Sequence, residues 1–152
     1  MTTPLRLDVR RSARGGESDF ELSLDVPSDL DYVGPAVELI AERFSRGVLS
    51  PRRVRFNLRT ALAEAIANAI AYGNHHDPRQ VVQVRVEAGR QAVHIHVTDA
   101  GAGFDPAAVP DPRLPGRLER EDGRGLFVLR SLVDHVAFNA AGNSICLTLR
   151  AG

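Results

Sequence analysis

The run "LSPRRVRFNLRTALAEAIANAIAYGN", Leu49 to Asn74, limits the fold more than any other stretch of the chain. Ser50 is a good helix N-cap, and Pro51 suits the first helical position, where a missing N–H costs nothing. Leu58, Ala61, Leu62, Ala65, Ile66, Ala69 and Ile70 recur at i, i+3 and i+4, the spacing of a helix with one apolar face. Gly73 is expected to end it. Glu64 and Asn68 interrupt the apolar composition one turn apart. At about 100° per residue they fall on one flank of the stripe, neither at its centre nor opposite it. The helix packs through other residues and carries a carboxylate and a carboxamide beside its buried face.

The rest of the chain supplies strands for that face. "FELSLDVP" alternates Phe20, Leu22, Leu24 and Val26 with polar neighbours, the pattern of a strand with one buried side. "SDLDYVGPAVELIAERFSRG" follows as a helix, with Ser28 or Asp29 as cap, Pro35 near the first turn and Gly47 as stop. "VVQVRVEA" and "AVHIHVTD" form a hairpin around Gly89 and Arg90, with Val82, Val84 and Val86 on one face and Val93, Ile95 and Val97 on one face. "GLFVLRSLVDHV" is a short helix with Leu126, Leu129, Leu132 and Val133 inward. "AFNAAGNSICLTLR" is a closing hairpin that aligns Ile145, Leu147 and Leu149. Residues 1–18 read as a flexible or irregular lead and 19–152 as a single domain. Within it, residues 105–123 hold Pro106, Pro110, Pro112 and Pro115 among many charges, a long loop of the kind that serves as a lid. Antiparallel strands with segregated helices predict an α+β fold, a two-layer α/β sandwich with a mostly antiparallel sheet and helices on one face.

Composition then removes function classes. A chain of 152 residues is the size of one domain, and 43% hydrophobic with 25% charged residues is the balance of a soluble globular protein. The 19 basic and 19 acidic residues cancel, which removes the electrostatic argument for direct binding of nucleic acid or an anionic membrane. Every basic residue is Arg. A Walker-type phosphate loop, a Lys nucleophile and a Lys Schiff base are therefore impossible. Cys146 is the only cysteine, so no intramolecular disulfide forms; flanked by Ile145 and Leu147, it reads as a buried structural thiol. The N-terminus lacks the apolar core of a signal peptide, and no apolar run approaches a membrane span. The expected location is cytoplasmic.

Three stretches carry candidate chemistry. In "TDAGAGFD", Asp99 continues the parity of Val93, Ile95 and Val97 and so points to the apolar side. A carboxylate there needs a donor, and Gly101 and Gly103 let a ligand approach the backbone. The pattern suits a hydrogen bond to the exocyclic amine of a base; it is also that of a plain Asp-Gly turn. In "EDGRGLFVL", Gly123 and Gly125 bracket Arg124 just before a helix, whose N-terminal N–H groups favour anions such as phosphate. Most such pairs are simple caps. Glu64 and Asn68 could place a general base beside a Mg²⁺ held by the Asn oxygen, or simply hydrogen-bond a loop. His75 and His76 follow a helix end and read as exposed. His94 and His96 share the polar face of a strand without an evident third metal ligand. Arg52, Arg53, Arg55 and Arg59 read as a solvated face, open to an acidic partner.

In this order, Glu-x-x-x-Asn on a helix, Asp-x-Gly-x-Gly-Phe after a strand, a lid, and Gly-x-Gly-Leu opening a helix resemble the motif boxes of the GHKL ATPases, which share the Bergerat ATP-binding fold. Within them, "EAIANAIAYGN", "DAGAGFDP" and "GRGLFVLRSLVD" look like the anti-sigma-factor serine/threonine kinases, over roughly residues 20 to 150. The resemblance implies ATP and Mg²⁺ as cofactors. It implies that Asn68 coordinates the Mg²⁺, that Glu64 is the general base for a partner's serine hydroxyl, and that Asp99 binds the adenine amine with Gly101 and Gly103 admitting the ring. Gly123 and Gly125 would let the second loop wrap the phosphates, with Arg124 contacting phosphate or partner. The implied partners are an anti-anti-sigma (antagonist) protein, which is phosphorylated, and a sigma factor, which is held; a homodimer is implied too. Tyr72 departs from a His found in many such proteins, and Asn143 from a Gly-Thr pair whose Thr helps hold adenine through water. Two other readings remain: a non-catalytic ATP-binding switch that sequesters a partner, and a detached histidine-kinase catalytic domain.

Overall fold

The structure is a computed structural model, and it describes residues 5–11, 20–44, 48–101 and 121–152. Strands β1 (Arg6–Arg11), β2 (Phe20–Pro27), β3 (Val81–Ala88), β4 (Ala92–Thr98), β5 (His135–Phe138) and β6 (Ser144–Arg150) form one sheet in the order β1-β2-β3-β4-β6-β5. Every pairing is antiparallel. Helix α1 (Val33–Ala41) follows a 3-10 turn at Leu30–Tyr32, whose first N–H groups are capped by Asp29: its Oδ1 accepts from Asp31 N at 2.9 Å. Pro35 falls in the first turn of α1, where its missing N–H is harmless. Gly47, the expected stop, lies outside the described residues.

The long helix begins as read. Ser50 Oγ accepts from Arg53 N at 3.2 Å, and Pro51 opens α2 (Pro51–Arg53). The helix widens to a π turn at Val54–Leu58, runs as α3 (Arg59–Asn68), and widens again over Ala69–Gly73. Leu58, Ala61, Leu62, Ala65, Ile66, Ala69 and Ile70 are all buried. They pack on the sheet face formed by Leu22, Leu24, Val26, Val82, Val84, Val86, Val93, Ile95, Val97, Leu147 and Leu149. Helix α4 (Glu121–Leu132) completes the layer, with Leu129 and Val133 buried and Leu132 packed beside them. The Leu126 side chain lies outside the described residues.

Three expectations change. The irregular lead does not hold for residues 6–11. Leu5, Leu7 and Val9 alternate with Arg6 and Asp8, and β1 pairs β2 with Leu7 opposite Leu24. Leu5 and Leu7 pack against the core, so a short charged strand is held by its alternate residues. Cys146 is only half-buried. It sits opposite His96 on the polar sheet face, because Ile145, Leu147 and Leu149 take the other parity. Burial still pushes its thiol above the usual range. The arginine stretch is not uniformly solvated. Arg53 reaches Asp134 at 3.0 Å and the Arg150 carbonyl, and Arg59 pairs with Glu38 of α1. Arg52 and Arg55 are exposed.

Candidate functional site

α3, which carries Glu64 and Asn68, packs against α4. Asn57, earlier on the same long helix, donates its Nδ2 to the Leu132 carbonyl at 2.9 Å. Arg53 anchors the same end through Asp134. The helix that follows the candidate lid is therefore tied at its end to the start of the long helix. Glu64 and Asn68 are both half-buried. Among the described residues, neither side chain has a hydrogen-bond or ion-pair partner.

The second part of the site is a contact between the end of that helix and the turn after β4. A Cβ added at Gly73 would lie 2.3 Å from both Cγ and Oδ2 of Asp99, and one added at Gly101 would lie 2.3 Å from the Gly73 carbonyl oxygen. No side chain fits at either position without moving Asp99 or the helix. Gly73 is not glycine for a left-handed helix end: among the described residues, the positive-φ positions there are His75 (φ 50) and His76 (φ 57). It is glycine because Asp99 presses on it. Asp99 Oδ1 accepts Gly101 N–H at 2.8 Å, which fixes the carboxylate plane. Burial raises the Asp99 pKa above the ordinary value, against the opposing pull of the Gly101 N–H and nearby His75. On the other side, Asp99 N–H donates to the Asn143 carbonyl at 2.9 Å. The residue that departs from the Gly-Thr pattern therefore lies directly beside Asp99.

The third part is Asn74, which is 3% exposed. Its Nδ2 donates to Ser28 Oγ at 2.9 Å and to the Val81 carbonyl at 3.2 Å, and its Oδ1 accepts Ala100 N–H at 2.7 Å. Ser28 Oγ in turn donates to the Gln80 carbonyl at 2.7 Å. One carboxamide ties together the end of the long helix, the end of β2, the start of β3 and the turn that holds Asp99.

The family description "Histidine kinase-like ATPase domain" matches residues 26–149. The chain belongs to the histidine kinase-like ATPase family. It is similar to the anti-sigma F factor of Geobacillus sp. (strain WCH70), at 30% identity over 57% of this chain and 60% of that protein. It is similar to the serine-protein kinase RsbW of Oceanobacillus iheyensis at 26% identity, over 78% of each chain. The anti-sigma F factor of Geobacillus thermodenitrificans is 32% identical over 57% of this chain and 60% of its own. The anti-sigma F factor matches thus span about three-fifths of those proteins. The α+β fold with its open antiparallel sheet is that of the family.

Membership of an ATPase family implies a nucleotide site. Glu64 and Asn68 lie on the long helix whose end meets Asp99 and Gly101 of the β4 turn. Gly103 and residues 105–120 lie outside the described residues. The second glycine pair is placed differently from expectation: α4 starts at Glu121, so Gly123, Arg124 and Gly125 lie within its first turns rather than before it. The side chain of Arg124 lies outside the described residues. The donor set suits Mg²⁺: a carboxamide oxygen and a carboxylate one turn away are hard oxygen ligands, and Mg²⁺ commonly takes few protein ligands alongside phosphate oxygens. Among the described residues no group of three or more His, Cys, Asp and Glu forms an all-protein metal cage. His94 Nδ1 lies 3.1 Å from Thr148 Oγ1, an ordinary cross-strand polar contact. No described helix is long and apolar enough to cross a membrane.

Two residues of the site are not marked by local pattern: Gly73 has the place of a helix stop, and Asn74 that of an ordinary turn residue. The available signal was their adjacency, since Gly followed by Asn where a long helix meets a turn marks close backbone approach and a buried polar clamp.

Proposed function

We propose that this chain is an ATP-dependent serine protein kinase of the anti-sigma type, acting on an antagonist protein and holding a sigma factor when that antagonist is absent. The observation that carries the reading is the placement of Glu64 and Asn68, without side-chain partners among the described residues, on a helix whose far end is pressed against Asp99. Asp99 would accept a hydrogen bond from the exocyclic amine of adenine, and Gly101 lets the turn that carries Asp99 close against the helix end. Asn68 would hold Mg²⁺, which when bound offsets the charge of the phosphate oxygens. Glu64 would take the proton of the partner's serine hydroxyl as that oxygen attacks the terminal phosphorus, with ADP as leaving group. Catalysis would then be positioning and charge offset, with the base assisting. The similarity to proteins named anti-sigma F factor and serine-protein kinase RsbW supports the choice of partner class.

Glu64→Gln tests the reading. It keeps the shape of the side chain and removes the base. The expected outcome is unchanged ATP affinity with phosphotransfer lowered by about a hundredfold or more. Equal phosphotransfer by the variant defeats the assigned role, and absence of phosphotransfer in both proteins favours the non-catalytic switch. Acid and base treatment of the product separates phosphoserine, which survives acid, from the phosphohistidine a histidine-kinase domain would yield. Recovery of neither an antagonist domain nor a sigma region in a pull-down with ATP·Mg²⁺ would remove the partner assignment.

A further inference from the structure

Asn74 stands outside the chemistry assigned above, yet it is among the few buried polar residues described, and every polar atom of its carboxamide is in use. Its two amide protons are spent on the central strands, through Ser28 Oγ and the Val81 carbonyl. Ser28 is itself braced by the Gln80 carbonyl. Its oxygen is spent on Ala100. Ala100 is an exposed residue, and its bond to the buried Asn74 oxygen is part-buried. What the bond does is hold the turn: Ala100 N–H goes to Asn74, Gly101 N–H goes to Asp99 Oδ1, and Asp99 Oδ2 abuts Gly73. With consecutive amides pinned and one side of the carboxylate against a helix, Asp99 has a single orientation.

We propose that Asn74 is a positioning residue for base selection, holding the Ala100 amide so that Asp99 presents one fixed carboxylate edge to the exocyclic amine of a purine. The proposal rests on the nucleotide reading of Asp99 given above. A purine with an amine at that position donates to the carboxylate. Hypoxanthine carries a carbonyl there, which meets the carboxylate as acceptor against acceptor. Discrimination between the two depends on the carboxylate staying in place. Released from Asn74, the turn at residues 99–101 can rotate, and the carboxylate can swing or take water, so the amine and carbonyl bases become more alike.

The test compares Mg·ADP and Mg·IDP affinities by calorimetry, with diphosphates so that no turnover intervenes, in the unaltered chain and in Asn74→Ala, Asp99→Asn and Ser28→Ala. Asn74→Ala is expected to lower the ADP-over-IDP preference by about fivefold or more, the worth of one well-made hydrogen bond. Ser28→Ala breaks the same network on the strand side but leaves Asn74 bonded to Ala100. It is expected to lower the melting temperature while keeping the preference. A role limited to stability would leave the preference unchanged in both, and an unchanged preference in Asn74→Ala overturns the proposal. If Asp99→Asn loses the preference and Asn74→Ala does not, the base reading stands and the Asn74 proposal alone falls. If the unaltered chain shows no preference for ADP, the base reading fails and the proposal falls with it. Should Asn74→Ala not fold, hydrogen exchange of the unaltered, nucleotide-free chain decides. The Ala100 amide is expected to exchange about tenfold or more slowly than an unprotected amide. Exchange at the unprotected rate overturns the proposal.

Discussion

Replacing Gly73 with alanine separates stability from nucleotide binding. The added Cβ would sit 2.3 Å from Cγ and Oδ2 of Asp99 and 2.6 Å from its Cβ, where ordinary contact begins at 3.4 Å. The Asp99 side chain must therefore retreat by about 1 Å, or the helix end must lift by as much; misplacements of that size cost catalytic sites about a hundredfold. Gly73 lies in a helical turn and has no positive φ. Alanine there is consequently favoured by helix propensity by about 0.5–1 kcal/mol, which offsets part of an overpacking cost of about 1–3 kcal/mol. The net change in unfolding free energy is expected to stay within about 2.5 kcal/mol. Loss of a hydrogen bond from the base amine to a charged carboxylate amounts to about 1.5–3 kcal/mol, or roughly ten- to a hundredfold in ADP affinity. Titration of a fluorescent ADP analogue, alongside urea denaturation of the same protein, measures both. A Gly73→Ala chain that folds and binds ADP as tightly as the unaltered chain refutes the reasoning, because Asp99 would then be free to move without consequence.

Further outcomes follow from the packing and the charges. Leu62 is fully buried, so Leu62→Ala should cost about 2–5 kcal/mol by urea denaturation, and a loss below about 1 kcal/mol would mean the stripe is not the core. Asp134 Oδ2 accepts Arg150 N–H at 2.7 Å and pairs with Arg53 at 3.0 Å, and these contacts, the backbone bond first, hold its carboxyl below the ordinary value. Its folded pKa is thus lower than its unfolded one. The stability it supplies is present above about pH 4 and is lost as the pH falls through the folded pKa. The pair is partly exposed, so about 1 kcal/mol or less is at stake. Asp134→Asn should be less stable than the unaltered chain at pH 7, with the gap closing below about pH 3; a gap that widens on acidification would contradict the sign.

Much of the fold is legible in the sequence because it is periodic. The stripe from Leu58 to Ile70 and the alternation of Val82–Val86 and Val93–Val97 each name a buried face, and the sheet and helix layers meet through those residues. Strand β1 was missed because its charged residues, Arg6, Asp8, Arg10 and Arg11, outweigh a short alternation, and its pairing with β2 comes from a partner in the sheet rather than from its own composition. Cys146 was misplaced for a related reason: in a run flanked by apolar residues on both sides, parity and not hydrophobicity decides the face.

The site divides the same way. Local spacing suffices to place Glu64 and Asn68 on one flank of a helix and to aim Asp99 toward the buried side of its strand, because both depend only on the helical and strand repeats. Which element meets that helix, and what touches Asp99, are contacts between residues distant in sequence. Asn57 reaching Leu132, Gly73 lying under Asp99, and Asn74 gripping Ala100, Ser28 and Val81 have no local periodicity to announce them. A glycine required by a neighbour's carboxylate and a glycine required by a left-handed turn are written with the same letter. Only the packed chain tells them apart, because the first is set by the distance to Asp99 and the second by the backbone angle at Gly73 itself.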